Sequence, residues 1–154
     1  MAYGLILASV AALLALAAAV RLAPSDPAKW HVALDNAAPA MPGPCALQIR
    51  LVPKGASASC LLADEPASVL TRLDTMALAT PRTLRLAGTG QQGRITWVSR
   101  SKLMRFPDYI TAEARPTPQG TRLDIFSRQR FGDGDRGVNA ARLKAWLTAL
   151  DQNP

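Results

Sequence analysis

The densest grouping of residues able to do chemistry is Ser127-Arg128-Gln129-Arg130-Phe131-Gly132-Asp133-Gly134-Asp135-Arg136-Gly137-Val138-Asn139, a strand end that passes through a glycine loop into a helix. Its glycines open backbone conformations closed to other residues, and Asp135 is placed to accept the free amides at the helix start. With Arg128, Arg130 and Arg142 close by in sequence, the same loop can hold a phosphate or carboxylate. The competing reading is a structural Arg-Asp-Asn lock, because the two aspartates compete with any anion and buried charges need partners. The lock is preferred, and Arg128, Asp135 and Arg142 are expected to form one network tying the last strand to the last helix. A calcium loop would need further oxygen ligands and a closing Glu, which the spacing Asp133, Asp135, Asn139 does not supply.

Other catalytic sets are thin. One His (His31) and two Cys (Cys45, Cys60) cannot furnish four ligands for a zinc framework. His31 lies in a proline-rich stretch, and no motif activates either thiol as a nucleophile. No metal and no cofactor is implied. A non-enzymatic accessory or binding domain is therefore favoured over its rival, a hydrolase-like enzyme using Asp108 or Asp135 in a cleft. The chain carries a formal net charge of +7, concentrated between Arg94 and Lys144. That bias suits anionic lipid headgroups, other anionic groups or a membrane-complex partner, with a solvated basic sheet face as the plainer alternative. Nucleic acid is not expected, since only 5% of residues are aromatic and no binding module is recognisable.

These groups must be positioned by a small number of elements. Residues 3–20 form an uncharged apolar run that as a helix would rise roughly 27 Å, close to the bilayer hydrocarbon thickness. Residues 1–21 are read as a retained transmembrane anchor, with a signal segment as the rival. The charges after the run favour a cytoplasmic domain by themselves, but long domains translocate largely regardless of charge, and two Cys suit an oxidising compartment. Topology stays open, with the periplasmic side of a bacterial inner membrane preferred. Residues 22–44, rich in Pro and Ala, read as a linker or wrapping arm. Trp30 within it either sits at headgroup level or packs on the domain.

Residues 45–154 then read as one α+β domain. The period-two alternation of Leu47, Ile49 and Leu51 predicts a strand over Leu47 to Val52. A helix is predicted from Glu65 to Ala79, capped by Asp64, with Val69, Leu70, Leu73, Met76 and Ala77 on one face. Four strands follow around Leu84, Ile95, Tyr109 to Ala114 and Leu123, separated by short turns that suit antiparallel neighbours. The last helix ends near Leu150, with Leu143, Trp146, Leu147 and Leu150 as its apolar stripe. The fold class is α+β: an antiparallel sheet of about five strands covered on one face by two helices, preceded by one N-terminal transmembrane helix.

The run Arg100-Ser101-Lys102-Leu103-Met104-Arg105-Phe106-Pro107-Asp108-Tyr109, with Ser127-Arg128, Gly132, Asp135, Gly137, Asn139 and Arg142, resembles the bacterial and plastid family called domain of unknown function 1499. The segment Val20 to Pro27 with Trp30-His31 is similar to alphaproteobacterial members that carry a membrane anchor. The resemblance implies a small α+β domain, often anchored or exported, with no established activity. It also implies Arg100, Asp108, Arg128, Asp135, Asn139 and Arg142 as the functional or structural polar set. Many members carry an Asn-Cys pair, where this chain has Ser59-Cys60. A Cys45–Cys60 disulfide is expected only if the domain is exported.

Overall fold

The computed structural model describes residues 2–35, 37–132, 134 and 136–152. Helix α1 (Ala2–Arg21) is followed by a one-turn helix α2 (Pro27–Trp30), whose start is capped by the Asp26 carboxylate accepting from the Ala28 amide. Strands β1 (Met41–Pro42), β2 (Arg50–Val52) and β3 (Gly55–Leu62) lead into helix α3 (Pro66–Ala79). Strands β4 (Thr83–Thr89), β5 (Arg94–Arg100), β6 (Pro107–Thr117) and β7 (Gly120–Gln129) form a meander, and helix α4 (Val138–Gln152) closes the chain. The window Tyr3–Arg21 of α1 has a mean hydropathy of 2.3 and is long and apolar enough to cross a membrane, a property that a signal sequence shares.

The sheet has seven strands in the order β1-β3-β7-β6-β5-β4, with β2 also on β3. The expectation of about five antiparallel strands is corrected here: the sheet is larger and mixed, because β1 runs parallel to β3 while every other pairing is antiparallel. The missed strand β3 reads Gly-Ala-Ser-Ala-Ser-Cys-Leu-Leu and lacks the large apolar residues that announce a strand. Its first residue has a structural cause. A Cβ at Gly55 would lie 2.1 Å from the Ser127 carbonyl oxygen, so the backbones of β3 and β7 approach too closely for any side chain there.

The predicted strand over Leu47 to Val52 is also shortened. Cys45–Leu47 form a 3-10 turn, and only Arg50–Val52 pair. The turn is held from two sides: Cys45 is disulfide-bonded to Cys60 of β3, and both Asp151 carboxylate oxygens accept amides, from Cys45 and Ala46, at 3.0 Å. Asp64 does not cap α3; Glu65 occupies that position without a side-chain bond, and Asp64 pairs with Arg72 at 2.6 Å.

Both long helices of the domain cover one sheet face. Val69, Leu70 and Leu73 of α3 and Leu143, Trp146 and Leu147 of α4 bury against Ile95, Trp97, Ile110, Leu123 and Ile125. Two indole N–H groups are satisfied within this core: Trp97 donates to Asp74 Oδ1 at 2.8 Å, and Trp146 to Thr80 Oγ1 at 2.9 Å.

The opposite face is not left to solvent. Residues 22–35 and 37–40 run across it as a strap, and the face beneath is polar: Thr96, Thr111 and Asp124 are fully or almost fully buried. The strap is fastened by side chains of the sheet. Arg130 donates to the Pro24 carbonyl at 2.7 Å, Arg128 to the Trp30 carbonyl at 2.9 Å, and Arg122 to the Ala38 carbonyl at 2.7 Å. The Leu34 amide donates to Glu113. Of the two readings of this proline-rich segment, the arm that wraps the domain is the one the contacts match.

Candidate functional site

Strand alternation places neighbouring residues of β7 on opposite faces, and this divides the polar set singled out in the sequence. Ser127 points to the helix side and Arg128 to the strap side. On the helix side, Arg142 of α4 bonds Asp108 Oδ2 at 3.0 Å, Asn139 Oδ1 at 2.7 Å and Ser127 Oγ at 3.0 Å. The Ser127 hydroxyl also donates to Asn139 Oδ1. Arg142 and Asp108 are largely buried, so the pair is a closed lock between β6, β7 and the first turn of α4.

Arg128 does not join that lock, because the sheet lies between it and Arg142; the expected single network of Arg128, Asp135 and Arg142 is corrected on this point. Asp135 and Asp133 lie outside the described residues. Arg100 stands apart from both groups, donating to the carbonyls of Arg21 at 3.3 Å, Ala23 at 3.5 Å and Arg105 at 3.1 Å.

On the strap side, Trp30 stacks on Tyr109 of β6 with ring centroids 3.8 Å apart and planes 8° from parallel. Trp30 thus packs on the domain. The Tyr109 hydroxyl meets Ser25 Oγ at 2.9 Å and accepts from Arg130 at 3.2 Å. The guanidinium carbons of Arg128 and Arg130 lie 5.4 and 5.8 Å from the Trp30 ring centre, within cation–π range. Further along the strap, His31 Nδ1 meets Thr96 Oγ1 at 2.9 Å, and that hydroxyl meets Thr111 Oγ1 at 3.0 Å. Burial first, and then the charge of Arg94, hold the His31 imidazole below its ordinary pKa of 6.5.

Between the strap and strands β3 and β7 lies a cavity of about 280 Å³, lined by Leu34, Asp35, Ser57, Ser59, Asp124 and Arg128 among others. Its charges are unequally compensated. Asp124 is held bidentately by Arg122 at 2.8 and 3.0 Å and approached by Arg115 at 3.4 Å. Arg128 has no carboxylate partner among the described residues; its Nη2 bonds a carbonyl, and its buried Nε has no acceptor there. Burial pushes its pKa below the ordinary guanidinium value. The arrangement can accept one anionic group beside an apolar surface.

Sequence reasoning did not find this cavity. The sequence singles out Arg128, but its partner Trp30 and the lining residues Leu34 and Asp35 lie in the segment with the least periodic signal. The period-two alternation Tyr109, Thr111, Glu113 of β6 was the available clue: those side chains face a strap, not water. Among the described residues, no group of three or more His, Cys, Asp or Glu side chains is placed to hold a metal.

The sequence model of the family described as protein of unknown function (DUF1499) matches residues 19–150, most of the chain and the whole strap. No curated protein matches the chain.

Proposed function

We propose, from the premise that the chain belongs to the DUF1499 family, that it is a membrane-anchored, non-enzymatic binding domain held by α1 on the periplasmic side of a bacterial inner membrane. Its ligand is a small molecule with one carboxylate or phosphate and an apolar part, taken under the strap. The observation that carries this reading is the cavity of about 280 Å³ in which the Arg128 guanidinium has no carboxylate partner among the described residues. A half-buried cation in such a place is stabilised by an incoming anion. The Cys45–Cys60 disulfide supports the exported side, because cytosolic thiols are kept reduced. The hydrolase alternative loses support at Asp108, which is occupied by Arg142 in a closed lock and does not present a poised carboxylate.

The test uses the full chain in mild detergent against a panel of carboxylates and phosphates of graded apolar size. A true ligand at about a hundred times its dissociation constant adds about 2.7 kcal/mol of stability. Arg128→Gln should remove that gain. If no acid in the panel raises the melting temperature and native mass spectrometry finds no bound small molecule, the reading fails. A cysteine placed at Gln119 and labelled in intact spheroplasts with an impermeant maleimide settles the side of the membrane.

A further inference from the structure

The two ends of the sheet differ in how their turns are made. Left-handed backbone favours glycine, and side chains adopt it under strain. At the end of the sheet away from α1, Gly93 and Gly120 take it at the turns, and at the other end Gly132 and Gly137 take it between β7 and α4. Among the described residues, the non-glycine positions with positive φ are Lys54 (64°), Arg82 (62°), Arg105 (59°) and Arg136 (50°), every one of them basic.

All four lie at the opposite end. Lys54 joins β2 to β3, and its carbonyl accepts the Gln129 amide at the end of β7. Arg82 precedes β4, and its carbonyl accepts the Arg100 amide at the end of β5. Arg105 lies between β5 and β6, and Arg136 between β7 and α4. Strain retained at four separate turns, each time for a long cationic side chain, points to a use for the charge. The acids there are few: Asp108 is bonded by Arg142, Asp26 caps α2, and Asp133 and Asp135 share the Arg136 loop in sequence, outside the described residues.

The same end is where α1 stops. Arg100 donates to the carbonyls of Arg21 and Ala23, and Arg130 to that of Pro24, so no free spacer separates the apolar helix from this end of the domain. Between β5 and β6 the loop Ser101-Lys102-Leu103-Met104-Arg105-Phe106 projects beside it. Leu103 is 82% exposed, Met104 46% and Phe106 37%. Exposed apolar side chains set among Lys and Arg are the composition of a segment that lies at a headgroup boundary.

We propose that this end of the domain docks on the surface of the bilayer that α1 crosses. Leu103, Met104 and Phe106 enter the headgroup region, and Lys54, Arg82, Arg105 and Arg136 contact anionic lipid headgroups. The occupant is the lipid surface itself. The inference rests on the anchor reading of α1 but not on the ligand cavity, which opens on the strap side of β3 and β7. Docking fixes the orientation of the domain: the β6–β7 turn at Thr117–Gly120 points away from the membrane.

The experiment uses the full chain reconstituted in vesicles of phosphatidylcholine alone or with 30% phosphatidylglycerol added. An environment-sensitive fluorophore is placed at Leu103→Cys or, as a control, at Gln119→Cys. With the anionic lipid present, the label at 103 should shift to the blue and be quenched by lipids brominated on their acyl chains, while the label at 119 stays water-like. The triple variant Lys54→Gly, Arg105→Gly, Arg136→Gly should keep or raise thermal stability, because glycine relieves the backbone strain. It should also lower the ratio of docked to undocked domain roughly a hundredfold, from about 1 kcal/mol per basic side chain near an anionic surface.

Equal quenching at 103 and 119, or unchanged docking of the triple variant, overturns the proposal. Shielding at 103 that persists in detergent and grows with protein concentration assigns the loop to a second copy of the chain and overturns it too. A chain that fails to float with the vesicles refutes the anchor reading and the docking with it. A chain that floats with position 103 in water refutes the docking alone.

Discussion

Replacing Trp30 tests whether the strap is held by its aromatic stack. Complete truncation of a core Trp to Ala costs about 3–5 kcal/mol. Trp30 is only partly buried, so about half of that applies. Stacking on Tyr109 adds about 1 kcal/mol beyond area, and the cations of Arg128 and Arg130 over the ring add a similar amount together. One contribution runs the other way: among the described residues the buried Trp30 indole N–H has no acceptor, a defect worth about 1–2 kcal/mol that Ala removes. The net expectation for Trp30→Ala is a loss of about 2–3 kcal/mol, or roughly 10 °C in melting temperature for a domain of this size. Trp30→Phe keeps a ring on Tyr109 and deletes the orphan donor, so it should stay within about 1 kcal/mol of the natural protein. Thermal unfolding of the full chain in detergent, followed by near-ultraviolet circular dichroism, gives the stabilities. Trypsin cleavage after the exposed Lys29 reports release of the strap, and should accelerate in Trp30→Ala alone. Equal destabilisation by both substitutions, or a neutral Trp30→Ala, would refute the stacking argument.

The disulfide closes a loop of sequence separation 15, for which chain-entropy reasoning gives about 3 kcal/mol; Cys60→Ser, measured with and without reductant, should lose about that much and become insensitive to reductant. His31 has a folded-state pKa below its ordinary 6.5, so the unfolded chain binds the proton more readily. Stability contributed by neutral His31 should be complete above about pH 6.5 and decline as pH falls from there through the lower folded-state value. His31→Gln should flatten that part of a denaturation series taken against pH, and an unchanged slope would remove His31 as its source.

Sequence periodicity disclosed the elements whose large apolar residues face the helices. The stripe Leu143, Trp146, Leu147, Leu150 and the alternation in β6 and β7 are the clearest examples. It did not disclose β3, which lacks large apolar residues and whose Gly55 answers to a close backbone approach that only the paired strand reveals. Nor could it choose between a free linker and a wrapping strap, because prolines suppress any period while carbonyls at Pro24, Trp30 and Ala38 supply the bonding. Carbonyl acceptors are common to every residue type and leave no mark in a sequence. The division of Arg128 from Arg142 was latent in strand alternation: Ser127 and Arg128 are adjacent, and adjacent residues cannot share a face.

The strap also sets a timetable for synthesis. Pro24 is fastened by Arg130 and Cys45 by Asp151, each across 106 positions of chain. Both early segments therefore emerge long before their partners exist. Until β7 is made, the strap has no complete face to lie on, and until α4 is made, the turn at Cys45 lacks the carboxylate that caps it. The domain thus cannot close while its C-terminal third is still on the ribosome. A nascent chain of this design stays open during most of its synthesis, and its two layers assemble together once the last helix is released.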